Sequence, residues 1–124
     1  MITILAVAIG GALGSVLRYL LAKAAADWLG TAFPYGTLGV NVAGGLVAGL
    51  CFVWLVERGA APELRALVMI GVLGGFTTFS AFSVDTLRLW EEAGAALASV
   101  NVLTNVTLSL TACACGIWIG RQWL

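Results

Sequence analysis

The sequence predicts an all-α membrane protein of four transmembrane helices, the third of them broken. Three observations carry that fold class. Hydrophobic residues make up 61% of the chain and charged residues 10%, and the uncharged runs at 1–17, 28–56, 66–84 and 93–120 measure 17, 29, 19 and 28 residues. A bilayer crossing needs ~20 mostly apolar positions. Trp28, Trp54, Trp90, Trp118 and Trp123, with Tyr19 and Tyr35, fall near the ends of the four segments, at the depth where amphipathic rings collect. The third observation is the stretch at 71–85, GVLGGFTTFSAFSVD. It sets the pair Gly74–Gly75, the hydroxyls of Thr77, Thr78, Ser80 and Ser83, and two phenylalanines, Phe79 and Phe82, into an apolar segment that ends on Asp85. In hydrocarbon an interrupted backbone is tolerated only where protein buries it or it lines a water-filled path. Broken helices at membrane depth are a recurrent way to build ion sites.

All 124 residues form one transmembrane domain, with spans at about 2–25, 37–56, 63–90 and 95–121. In the first span Gly10 and Gly14 are four apart among further small residues, a spacing that lets helix backbones approach closely. Arg18 lies one to two turns inside its end; it either snorkels to the interface or has a structural or vestibule role. The span lacks the basic leader and small-residue cleavage site of a secretory signal.

Residues 27–36 form the first loop, with Pro34 and Gly36 marking a turn. The second span carries one strongly polar side chain, Asn41. An amide facing lipid is costly, so it makes an interhelical hydrogen bond or presents a donor to a passing ion. After a short charged loop, Pro62 opens the third span as a first-turn residue. That span is 28 residues long, more than a straight crossing needs, which leaves room for a break at 74–78. Asp85, Arg88, Glu91 and Glu92 mark the return to water.

In the fourth span Asn101, Asn105, Ser109 and Cys113 recur every four residues beside Thr104, so they form one polar stripe. Thr107 and Thr111 point away and bond back to their own helix. Asn105-Val106-Thr107 matches a glycosylation sequon, which is unusable within a membrane. Cys51, Cys113 and Cys115 show no CxxC spacing and no accompanying histidine, and read as buried, inert thiols.

Six basic residues balance six acidic ones and there is no histidine, which removes nucleic-acid binding and histidine-based proton relay or metal binding. No intramembrane carboxylate pair or cysteine–base pair offers a catalytic constellation, so the chain is not expected to be an enzyme. A dehydrated anion needs hydrogen-bond donors and positive dipole ends. Ser80, Ser109, Asn41 and Asn105 supply donors, a helix restarting after a break turns free N–H groups toward negative charge, and the rings of Phe79 and Phe82 carry positive edges. Core packing is the competing reading for the two rings. Carbonyls freed at the break, from Gly74 and Thr77, are suited instead to a cation such as sodium.

Orientation normally follows an excess of Lys and Arg on the cytoplasmic side. Here Arg58, Arg65 and Arg121 fall on one side and Arg18, Lys23 and Arg88 on the other. The tie is met by a weak bias corrected by the amino-terminal charge or an insertion factor, or by a chain that inserts both ways up and pairs as an antiparallel homodimer.

GGFTTFSAFSVD, with VNVAGG around Asn41 and the Arg18 region upstream, resembles the Fluc (CrcB-like) family of fluoride channels over nearly the whole chain. The resemblance implies a dual-topology, antiparallel homodimer in the inner (plasma) membrane that passively exports fluoride and so protects a microbial cytoplasm. It implies two pores per dimer, lined by Asn41, Phe79, Ser80, Phe82, Asn105 and Ser109, with Arg18 and Asp85 at vestibules. It implies a structural sodium ion (Na+) at the two-fold axis, held by the backbone carbonyls of Gly74 and Thr77. Asn105 stands where the family often has tyrosine, and Ala81 where it often has threonine. Two rivals remain. A small multidrug-type transporter needs a carboxylate in its first span, and residues 1–17 contain none; a scaffold subunit would use the same polar groups only to glue helices.

Overall fold

The computed structural model describes residues 1–123. Its helices are α1 (Ile2–Leu29), α2 (Tyr35–Glu57), α3 (62–76), α4 (Phe79–Ala93) and α5 (Ala95–Trp123), and α3 and α4 together make the third span. Each of the four spans is long and apolar enough to cross a membrane, so this is a multi-pass membrane protein. A charged residue is not enough to end a helix here. Lys23 and Asp27 pair at 2.7 Å one turn apart, an arrangement that supports a helix beyond its apolar run. α1 therefore continues to Leu29 instead of ending near 25, and Asp27 and Trp28, expected in the first loop, are helical. Gly30 stops it, at φ 81° with its N–H on the Ala26 carbonyl, a left-handed conformation that glycine adopts without steric cost.

Two segments depart from regular α geometry. Phe52–Glu57 at the end of α2 and Ala66–Val72 within α3 wind in wider π-helical turns, and the Leu73 N–H reaches back five residues to the Val68 carbonyl. Such turns concentrate near functional sites.

α1 packs along α3, while α2 packs along α5. Both seams rest on missing side chains: a Cβ on Gly14 would strike the Val72 carbonyl, one on Gly49 the Cys113 carbonyl, and one on Gly116 the Leu46 carbonyl. Lipid offers no hydrophobic drive for helix association, so this close approach supplies the dispersion contacts that hold the spans together. Val40, Val53, Leu55, Leu73, Phe76 and Leu89 are buried between them. Long side chains such as Leu13, Leu20, Leu110 and Trp118 face outward. Cys51 and Cys113 are half-buried and Cys115 is exposed, so the expectation of three buried thiols fails for Cys115, which lies on an outer face of α5.

The third span breaks where the sequence places it, though over fewer residues. Only Thr77 (φ −84°, ψ 159°) and Thr78 (φ −153°, ψ 125°) leave the helix. Gly74 and Gly75 stay helical, and Gly75 serves close contact, since a Cβ there would come within 2.6 Å of the Gly11 carbonyl.

Candidate functional site

Two extended residues in a helix leave backbone groups without their usual partners, and at membrane depth each must find another. In an unbroken helix the Thr78 N–H would close on the Gly74 carbonyl. It donates instead to Asn41 Oδ1 at 2.8 Å, while Asn41 Nδ2 donates to the Thr78 carbonyl at 3.0 Å. One side-chain amide thus mimics a backbone strand partner for the break. The Gly75 carbonyl accepts from Arg18 Nε at 3.0 Å. Thr78 then restarts the helix as its N-cap, its Oγ1 accepting from the Ala81 N–H at 3.1 Å, a role for which threonine is favoured. α4 begins with no acidic residue in its first turn, so the positive end of its dipole is uncompensated by a carboxylate.

The break faces a cleft of about 520 Å³. Of the residues singled out from the sequence, Asn41, Gly74, Thr77, Phe79, Phe82, Asn105 and Ser109 line it. The two rings lie with centroids 5.3 Å apart and planes at 55°, near the edge-to-face arrangement that aromatic quadrupoles prefer. Phe82 is 9% exposed and Phe79 is 78% exposed, so core packing accounts for the first ring within this chain and not for the second. Ser109 Oγ is buried and has no hydrogen-bond partner among the described residues. The residue lines the cleft, while its hydroxyl is closed off from the surface of this single chain.

The amides of Asn41 and Asn105 are not free. Besides the Thr78 carbonyl, Asn41 Nδ2 donates to Asn105 Oδ1 at 3.1 Å. Asn105 Nδ2 donates to Asn101 Oδ1 at 2.9 Å and to the Asn101 carbonyl at 3.2 Å. Of the two readings of Asn41, the interhelical hydrogen bond is the one the geometry contains. Thr104 and Thr107 both bond back to their own helix, at Val100 and Leu103, and Thr104 also reaches the Asn101 carbonyl at 3.3 Å.

The remaining residues lie outside this cleft. Ser80 is exposed, its Oγ 3.2 Å from Thr78 Oγ1. Arg18 lines a second cleft of about 280 Å³ together with Ser15, Tyr19, Thr37 and Thr78. Asp85 lines a third of about 140 Å³ with Arg88, Thr31 and Thr37. Its Oδ2 accepts from Thr37 Oγ1 at 2.6 Å, and Arg88 stands 4.0 Å away. Thr78 borders the first and second clefts and Thr37 the second and third, so two threonines join three mostly apolar hollows from the break to the α1–α2 loop.

Sequence reasoning missed Thr37, and it noticed Thr78 without giving it a task. It also passed over Thr86, whose position four residues after Phe82 puts it one turn along the same helix face. That spacing is the signal that could have found it.

Comparison with known proteins bears on this arrangement. The model of the family described as CrcB-like protein, Camphor Resistance (CrcB), matches residues 5–117. A protein of Magnetococcus marinus named fluoride-specific ion channel FluC is 47% identical over 116 residues, covering 93% of this chain and 94% of its own length. A Rhizobium etli protein of the same name is 49% identical over 123 residues, covering 98% of each. One from Chelativorans sp. is 46% identical over 119 residues, covering 95% of each. A match of that extent, on a chain with four spans and a break in the third, has one meaning: the protein belongs to the CrcB-like family.

Proposed function

We propose that this protein is a fluoride channel rather than an enzyme, and that two inverted copies of it pair in the inner (plasma) membrane to form two pores through which fluoride leaves the cytoplasm passively. The observation that carries the reading is the cleft at the break, which joins the start of α4, the Phe79–Phe82 ring pair and the unpartnered Ser109 hydroxyl. The names of relatives at 46–49% identity, fluoride-specific ion channels, support it.

The chemistry suits a small, hard anion. Fluoride is strongly hydrated, so a dehydrated passage has to replace its water with donors at close range. Ring edges, helix-terminal N–H groups and a lone hydroxyl do so without presenting a carboxylate. Asn41 and Asn105 contribute to the wall as fixed dipoles, and Ser80 lies at the outer side of the start of α4. Arg18 and Asp85 belong to the hollows leading toward the loop, as vestibule groups. Phe79, open in a single chain, is a natural surface for the second copy to cover. The even 3:3 split of basic residues between the two sides suits insertion in both orientations.

A sodium ion fits the break. Gly74 is exposed and a Cβ there would meet only the Met69 carbonyl, at 4.0 Å, so its backbone is approachable. The Thr78 N–H that would cover the Gly74 carbonyl is diverted to Asn41. The carbonyls of Gly74 and Thr77 are the hard oxygen donors such a cation takes, and there the ion would serve as a structural charge between the two copies.

The test is efflux from liposomes holding the purified protein, read with a fluoride electrode. Rapid fluoride release with chloride retained is the expected result. Equal chloride release would remove the selectivity, and no release of either anion would leave a scaffold.

A further inference from the structure

The three asparagines of the sequence, Asn41, Asn101 and Asn105, share one hydrogen-bonded chain that continues past the cleft to Thr86. We propose that Thr86 and Asn101 are positioning residues of the anion pathway: they fix the direction of this amide chain and thereby hold Thr78 at the break. The inference rests on the channel reading above and adds residues that do not touch the cleft.

A threonine hydroxyl has a single hydrogen. That of Thr86 goes to the Phe82 carbonyl at 2.7 Å. Toward Asn101 it can only accept, and Asn101 Nδ2 duly donates to it at 2.9 Å. Asn101 must then turn Oδ1 toward Asn105, whose Nδ2 donates to it. Asn105 must turn Oδ1 toward Asn41, whose Nδ2 donates in its turn. Asn41 is left with Oδ1 facing the Thr78 N–H, which as a backbone group can be nothing but a donor. The two ends of the chain therefore agree on one direction: the Thr78 N–H can only donate, and the Thr86 hydroxyl could donate to a reversed Asn101 only by giving up the Phe82 carbonyl. Reversing Asn41 or Asn105 sets donor against donor on one side and acceptor against acceptor on the other.

Burial makes the direction binding. Asn101 is 0% exposed and Asn105 5%, so no water or lipid group replaces a lost partner, and an unpaired polar group there is disfavoured. Thr78 is where the chain acts on the pathway. It caps α4, the helix that carries both rings, and the hydroxyl that sets the direction is itself bonded to the carbonyl of Phe82. Thr86 thus reaches the break by two routes, along its own helix and through three side-chain amides on α2 and α5.

The test compares Thr86→Val, which keeps the branched shape and removes the hydroxyl, with Thr86→Ser, which restores the hydroxyl. Full-length protein labelled with [15N]threonine is followed by amide hydrogen exchange in detergent, and the same preparations are assayed for fluoride efflux. Thr86→Val should speed exchange at the Thr78 N–H at least tenfold, leave Thr107 unchanged, and lower efflux at least tenfold. Thr86→Ser should restore both. An unaltered Thr78 in Thr86→Val, or a change that serine does not reverse, overturns the proposal. If Thr86→Val does not fold, wild-type protein labelled with [15N]asparagine decides instead: the side-chain hydrogens of Asn41 and Asn105 should exchange slowly, and fast exchange at either overturns the chain. Absence of efflux from the wild type sinks the channel reading, and does so without moving the exchange data.

Discussion

Arg18 Nε donates to the carbonyl of Gly75 across 57 positions of sequence, at 3.0 Å. The carbonyl is one that the break strips of its helical partner, and the guanidinium brings a charged donor from α1 to cover it. A hydrogen bond to a charged group contributes about 1.5–3 kcal/mol. Arg18→Gln should destabilise the folded protein by an amount in that range and lower fluoride efflux. Arg18→Lys should recover little, because lysine lacks the planar fork. Thermal unfolding in detergent and liposome efflux check both; a glutamine variant with wild-type stability would show the contact to be incidental.

Ser109→Ala separates stability from conduction. The hydroxyl is buried without a partner among the described residues, and leaving such a group unsatisfied costs about 1–3 kcal/mol. Its removal should leave the protein equally or more stable, yet slow fluoride release by roughly tenfold, the equivalent of ~1.4 kcal/mol. A less stable, fully conducting alanine variant would reverse both halves of the expectation.

Phe79→Ile and Phe82→Ile should each suppress fluoride efflux while the protein still assembles, since isoleucine keeps most of the bulk and removes the ring edge. They should differ in stability. Phe82 is buried, and a shape change in a packed site costs ~1–3 kcal/mol; Phe79 stands open and should cost little within one chain. Efflux and size-exclusion chromatography report the two properties, and unchanged efflux in both variants would take the rings out of the pathway.

Tags at the termini test the paired-inverted assembly. Both membrane faces should display them, read by accessibility to an impermeant reagent in intact cells. Display on one face alone would remove dual insertion.

The architecture was legible because it rests on composition. Four uncharged runs require four spans, and a glycine pair followed by two threonines marked the break. Boundaries were less legible, since Lys23 and Asp27 end an apolar run without ending a helix. The extent of the break was overstated for a related reason: Gly74 and Gly75 were included in it, while both stay helical and Gly75 is used for contact with α1. The site was legible as a face and illegible as a set of partners. A four-residue repeat put Asn101, Asn105 and Ser109 on one stripe, but it could not say that Asn105 meets Asn41, 64 positions away, or that Ser109 meets no polar partner.

The widened turns at Ala66–Val72 carry a last consequence. A π turn closes its hydrogen bond over one residue more than an α turn, so surplus backbone is absorbed there without swinging the rest of the span by the roughly 100° that an extra residue imposes on a regular helix. Excising one residue from this stretch would let it relax into ordinary winding with the break still turned toward Arg18 and Asn41. Excising one between Leu73 and Phe76, where the winding is already ordinary, would rotate the break away from both. The first protein should conduct and the second should not.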